Sequence, residues 1–302
     1  MKAIWINQKN IDRKKWDAMV ENTPCALVSS LSFYWDATAQ DWDAYLAEDY
    51  SYGIPVGVTT KGGIRRLYYP LFQKFHEPLG NKGDIDWIDF ENSLLERFKK
   101  GELIVNNTVP LRIKKEQLLT QILTKEQYNL KTQAKRMLKK FEQSQLEIND
   151  KDVKLDKLLR VIITELSKKL NVFNPKESQT LYTLFNEAEK LGLLYKVGLY
   201  EKGELIGGLI GTQYKNQLLY IKGTATEESQ KNGSMYALMN HLISHGFEHN
   251  CLIDFGGSNA EGVRYFNTRF GAEDVYYFHY SWDNSPWWFK IFYGMYQKIK
   301  GR

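Results

Sequence analysis

The feature that most constrains the fold lies in residues 193–225. LLYKVGLY, ELIGGLIGTQY and QLLYIKGTA are three strand-like runs in close succession, and the glycine-bearing EKGE turn joins the first two as a hairpin. They read as a meander. A helix (NGSMYALMNHLISHGFEHN), a short buried strand (LIDF), a helix around AEGVRYFNT and an aromatic strand (VYYFHYSW) follow. A meander continued by helix, strand, helix and strand commits the chain to a sheet flanked by helices.

The first half reads as a rougher version of the same plan. KAIWI, PCALVSS, DWDAYLA, SYGIPVGVTT, IRRLYYP and ELIVNN are strand-like. IDRKKWDAMVEN, FYWDATAQ and WIDFENSLLERFKKG are helix-like, the last stopped by Gly101. KGG marks a hairpin, LFQKFHEPLGNKGD reads as loop, and residues 111–170 read as mostly helical and polar. No repeat shows at the level of residue identity. The expected organisation is α+β, with domains at 1–120 and 121–302 and a basic helical segment opening the second.

With 302 residues, 43% hydrophobic and 25% charged, the chain has room for two domains of common size. No apolar run approaches the roughly 18 residues of a membrane span, and MKAIWINQKN lacks the apolar core of a secretory signal. Cys25 and Cys251 lie far apart in apolar runs and read as reduced, buried thiols. The expected location is cytoplasmic. A net charge of +5 names no partner, but its placement is informative. Between Lys114 and Lys169 there are 14 Lys and Arg against 8 Asp and Glu, concentrated at Lys131, Lys135, Arg136, Lys139 and Lys140. Such a row is either a solvated helix face or a contact for the phosphates of a nucleotide-bearing cofactor or an RNA. The aromatic content of 14% supplies core or cleft walls.

Gln230, Lys231, Asn232, Gly233, Ser234 and Met235 sit where a loop becomes a helix. Free N–H groups and the positive end of a helix dipole meet there, which suits a pyrophosphate; the plainer reading is an N-terminal cap by Asn232 or Ser229. Downstream, LIDF ends on Asp254, followed by Gly256, Gly257 and Ser258 at the start of another helix.

The order of elements, with QKNGSM at the loop, resembles the GNAT acetyltransferase core and its pyrophosphate motif. Gln230 and Gly233 match that motif, and Met235 replaces its last small residue. IDFGGSNAEGVRYFNTRFGAE resembles the FemAB-like group, which carries two GNAT-like halves in one chain. SFYWDATAQDWDAY, EDYSYGIPVGVTTKGGIRRLYYPLFQKF and YNLKTQAKRMLKKF continue the resemblance to an uncharacterised subgroup over nearly the whole chain. It implies two GNAT-like halves, each a mixed, mostly antiparallel sheet flanked by helices. It also implies an acyltransferase moving an acyl group from a thioester, acyl-CoA-like donor to an amine or hydroxyl acceptor.

The donor is expected at Gln230–Met235. The acceptor, a small molecule or cell-envelope precursor, is expected in a cleft between the halves lined by Tyr34, Trp35 and Gly257. Asp254 is read as orienting group or base, or else as a helix cap, and Ser258, Tyr265 and Asn267 complete the catalytic candidates. Two positions depart from the group: its frequent Glu is Gly256 here, and its Tyr in the FYKSFG stretch is Asn267. Those departures favour a catalytically silent ligand-binding member as one alternative. An aminoacyl-tRNA-dependent transferase is the other, with tRNA ranked below a thioester. No DNA partner is expected.

His241, His245 and His249 recur on one helix face, yet without an HExxH or a cysteine pair they read as an exposed face, and no metal is expected. The tail SPWWFKIFYGMYQKIKGR reads as a terminal helix packing on the second half in preference to a membrane-surface helix, so no firm membrane association is expected.

Overall fold

The computed structural model describes residues 3–169, 174–257, 260–289 and 291. It divides into two compact units. One holds residues 1–118 and 277–302, the other residues 119–276.

The first unit contains β1 (Ala3–Asn7), α1 (Arg13–Asn22), α2 (Ser32–Thr38), β2 (Trp42–Ala47), β3 (Tyr52–Lys61), β4 (Ile64–Tyr68), β5 (Leu79–Gly80), α3 (Trp87–Arg97), β6 (Lys100–Val105) and the start of β7 (Lys114–Leu123). Strands β1 to β4 form an antiparallel meander, β6 joins β4 in parallel at Arg66↔Lys100, and residues 278–283 pair antiparallel with β6. Phe90 and Leu94 of α3 pack with Tyr45, Ile54, Val56 and Leu103 in one core cluster. Trp16, Trp35 and Trp42 are fully buried; Trp42 meets Trp16 edge-on at 5.2 Å and lies 5.8 Å from Trp35.

The second unit contains the end of β7, then α4 (Thr132–Glu142), β8 (Leu146–Asn149), α5 (Leu155–Lys169), α6 (Pro175–Lys190), β9 (Leu194–Glu201), β10 (Glu204–Tyr214), β11 (Gln217–Ala225), α7 (Glu227–Lys231), α8 (Ser234–Glu248), β12 (Leu252–Asp254), α9 (Glu261–Thr268) and the start of β13 (Glu273–Asp283). Its strand order repeats that of the first unit. Strands β8 to β11 are antiparallel, β12 joins β11 in parallel, and β7 pairs antiparallel with β12. Leu209 points into the cluster that α8 covers, while a Cβ on neighbouring Gly208 would meet Leu158 of α5, so α8 and α5 take opposite faces.

Several expectations are corrected. PCALVSS forms a 3₁₀ turn at Val28–Ser30 and no strand. Residues 111–170 hold two strands, β7 and β8, besides α4 and α5. The polar start of β7 (KKEQ) hid a strand whose end is defined by pairing with distant Ile253 and Asp254. The division falls at Leu118, near the expected 120, but residues 277–302 return to the first unit, so 121–302 is no single domain. Cys25 is exposed and Cys251 buried. Tyr34 and Trp35, read as cleft residues, have no exposed surface; the Tyr34 hydroxyl donates to the Phe72 carbonyl at 2.6 Å.

Two buried polar groups in the first unit make its stability testable. The carboxylate of Asp43 is fully buried on β2 and pairs with Arg65 (2.5 Å) and Arg97 (2.9 Å). Removing it strands two partly buried cations, so Asp43→Ala is expected to lower the unfolding free energy in urea by about 3 kcal/mol. His76 is also fully buried; Ile104 N–H donates to its Nδ1 at 2.9 Å. Burial pushes its pKa down to about 4 from the ordinary 6.5. The unfolded chain therefore binds the extra proton first. The His76 contribution is complete above pH 6.5 and is lost as pH falls toward 4. A stability–pH profile should fall across that window, and His76→Phe should flatten it.

Candidate functional site

The site of the second unit is built on the β11–β12 pair. Gln217, Leu218 and Leu219 pair with Leu252, Ile253 and Asp254, and the ladder ends there while β11 runs on to Ala225. Just past the last pair, β11 is bulged: Gly211 faces Tyr220 and Ile210 faces Lys222, leaving Ile221 without a counterpart. A strand edge that loses its partner inside a fold presents backbone donors and acceptors to whatever enters. Burial pushes the Tyr220 hydroxyl up to about 12 and lowers the half-buried Lys222 ammonium. Lys222 pairs with Ile210 on the face toward α5. The sequence reading passed over it, although a lone lysine in QLLYIKGTA was the available signal.

The end of β12 is held firmly. One Asp254 carboxylate oxygen accepts from Gly256 N–H at 2.9 Å, Phe255 N–H donates to Gln121 O at 3.0 Å, and the Thr120 hydroxyl donates to Gly256 O. Gly256 has φ +85, the left-handed region, and a Cβ there would lie 3.1 Å from Tyr220 O. The departure from the group's glutamate thus has a local backbone cause. Gly257 is exposed with open space around it. Ser258 lies outside the described residues.

The two α9 candidates separate. Tyr265 is 54% exposed, its ring 3.6 Å from the Arg269 guanidinium. Asn267 is 2% exposed and donates to Gln121 Oε1 at 3.0 Å. Gln121 Nε2 in turn donates to Asp274, which also pairs with Arg264. Asn267 is therefore a structural tie, and Gln121, absent from the sequence reading, joins β7, α9 and the Asp254 loop.

The glycine loop is more occupied by the protein itself than its sequence suggests. Gln230 Nε2 donates to Ala225 O at 2.6 Å, Ser234 is fully buried, and Lys231 O accepts from Lys140 Nζ at 2.7 Å. Gly233 has φ +83, and a Cβ there would overlap the Met137 carbonyl oxygen of α4. Its lack of a side chain serves helix packing. Met235 and Asn232 are half-buried. As N-cap, Gly233 offers the first-turn N–H groups of α8 no capping side chain. Burial raises the Tyr236 hydroxyl, and the charges of Arg269 and Arg136 oppose that shift.

His241 Nδ1 meets the Tyr195 hydroxyl at 2.8 Å, and the His245 and His249 rings lie 4.2 Å apart. Among the described residues, no group of three or more His, Cys, Asp and Glu is placed to hold a metal ion.

The Gln121 hub makes a prediction. Gln121→Ala removes the buried hydrogen bond from Asn267 Nδ2 to Gln121 Oε1 and should cost about 2 kcal/mol of stability. Asn267→Ala on the same background should add less than it does alone, by about 1 kcal/mol in a double-mutant cycle read by chemical denaturation.

Residues 126–267 match the family profile described as an acetyltransferase (GNAT) domain, a span inside the second unit. No curated protein matches the chain. Among solved structures the chain is similar to FemX, at 10% identity and TM-score 0.63 over 92% of this chain and 97% of that one. It is similar to a conserved protein of unknown function from Bacteroides thetaiotaomicron, at 13% identity and TM-score 0.63 over 90% and 97%. It is also similar to a tandem GNAT protein from the clavulanic acid biosynthesis pathway, at 13% identity and TM-score 0.53 over 94% and 99%. The chain has a tandem GNAT-like α+β fold, and part of its second unit matches the acetyltransferase (GNAT) domain profile.

Proposed function

We propose that the protein is an acyltransferase. Its donor is an acyl-CoA thioester bound at the first turn of α8, and its acceptor is an amine or hydroxyl on a small molecule or cell-envelope precursor. The observation that carries this reading is a contrast between two helices that follow the meander in their respective units. The N-terminus of α3 is closed: the Asp86 side chain accepts from Ile88 and Asp89 N–H, and Asp84 and Asp89 add negative charge. The N-terminus of α8 has no side-chain cap, and Lys140 of the basic helix α4 donates to the Lys231 carbonyl just before it. A pyrophosphate is repelled at the first and attracted at the second.

The chemistry needs positioning more than covalent help. The acceptor nitrogen or oxygen attacks the thioester carbonyl, the C–S bond breaks, and the carbonyl oxygen carries charge in between. Backbone donors beside the Ile221 bulge are suited to that charge. Asp254, fixed by Gly256, is the proposed base for the acceptor proton, and Tyr265 the proposed acid for the departing thiolate. Ser258 stays in the proposal by its place in the sequence alone.

One observation favours the aminoacyl-tRNA alternative. Lys131, Lys135 and Lys139 are exposed on or just before α4, extending the positive surface beyond what one pyrophosphate needs.

Titration calorimetry with acetyl-CoA and free CoA tests the reading. Saturable binding is expected, with Arg136→Glu weakening it at least about tenfold. Arg136 is exposed, so the variant should fold normally; Gly233 is unsuitable because any side chain there strikes α4. Absence of binding to the intact protein sinks the thioester reading. Steeply salt-dependent binding of an aminoacyl-tRNA in its place moves the assignment to that donor.

A further inference from the structure

The histidine row of α8 differs from the exposed face expected for it. His241 and His245 are half-buried, and of the three only His249 is exposed. They follow one another at successive turns on the side that meets β9 and the end of β10. The His245 ring has two ring neighbours, Tyr195 of β9 at 4.4 Å and His249 at 4.2 Å between centroids. Its Nε2 meets Gln213 Oε1 of β10 at 3.1 Å. His241 Nδ1 meets the Tyr195 hydroxyl at 2.8 Å, and its Nε2 lies 3.7 Å from an Asp150 carboxylate oxygen. The last two turns of α8 are thus tied to the sheet through imidazoles. A groove of about 470 Å³, lined by Asp150, Tyr195, Lys196, Gln213, His245 and His249, opens this cluster to solvent.

Added protons work against these ties. A neutral His241 with its proton on Nε2, toward Asp150, accepts the Tyr195 O–H on Nδ1. A second proton occupies Nδ1, and the hydroxyl of Tyr195, a residue only 5% exposed, must turn its own proton away. His245 and His249, in ring contact, repel when both are charged. Other charges act on His245 in both directions. Asp150, Glu248 and the negative end of α8 favour a cation there. Lys215, after β10, adds a positive charge at the groove, while Lys196 of β9 is paired with Glu189. Burial is the largest influence, and with His249 and His241 it makes His245 release its proton more readily than a free imidazole. An opened His245 therefore takes up a proton first. The closed arrangement is complete above pH 6.5 and weakens as pH falls below it.

From this geometry we infer that the C-terminal end of α8 is a proton-operated latch: neutral His241, His245 and His249 hold it on Tyr195 and Gln213, and their protonation releases it. Release is a local opening of residues 241–250 while the rest of the unit stays folded. The latch lies at the opposite end of α8 from the proposed donor site and does not rest on the acyltransfer reading.

Hydrogen exchange read by mass spectrometry on the full chain tests it, at about pH 7.5 and about pH 5.5, corrected for the intrinsic exchange rate, with a chelator present. Protection of residues 241–250 should fall at least about tenfold at the lower pH, while α5 and β11 keep theirs. His245→Gln with His249→Gln should make the protection of that segment independent of pH. In proton NMR the His245 ring should titrate below 6.5, and His249→Ala should raise its midpoint by removing a like-charged neighbour. The inference is overturned if residues 241–250 are equally protected at both pH values, or if the double variant keeps the full pH dependence. It is equally overturned if all peptides of the unit lose protection together, which is global unfolding, or if His245 titrates at or above 6.5.

Discussion

The site of the second unit depends on a parallel pairing that stops early. β11 and β12 share three residue pairs and then part, because β12 ends at Asp254 while β11 continues for six residues more. A buried strand edge must find partners for its backbone groups, so the gap is either filled by the protein or left as a place for a ligand. Gly256 follows the parting, with a φ of +85 and its backbone so close to Tyr220 O that a Cβ would lie 3.1 Å from it. The bulge at Ile221, the half-buried Lys222 and the fixed Asp254 lie close to that parting.

Strand order is nearly the same in the two units, yet the ends of their helices are chemically opposed. Asp86 satisfies the first N–H groups of α3 with a carboxylate, whereas α8 begins on a glycine under a basic helix. Similar backbones therefore carry opposite electrostatic signs where an anion would approach. The difference rests on a few side chains, which shows why a shared fold supports a functional proposal only through its site.

The meander of residues 193–225, the helix behind it and LIDF were legible because their apolar spacing is strong and their partners lie close in sequence. β7 and β8 were not, since each is a weak run completed by pairing with residues far along the chain, Ile253 and Asp254 for β7 and β9 for β8. The catalytic candidates show the same division. Asp254 was visible as a polar residue closing a buried strand. Asn267 looked equally polar, but its burial against Gln121 turns it into a tie between elements. Gln121 itself carried no local signal, because a glutamine in a polar stretch becomes a hub only when three elements meet on it.

By itself the sequence determined the α+β class, the glycine-rich turns, the basic row that became α4 and the resemblance to the FemAB-like group. These are local patterns, set by side-chain spacing and by backbone angles that glycine permits. Tertiary structure decided which polar residues face an opening and which are consumed by packing. Gly233 was read as making room for a phosphate, and its missing side chain makes room for the Met137 carbonyl. Trp35 was read as a cleft wall and is buried, while Trp287 was read as core and stands in water. The physical reason is one: burial and partnership depend on residues distant in sequence, and no local pattern records them.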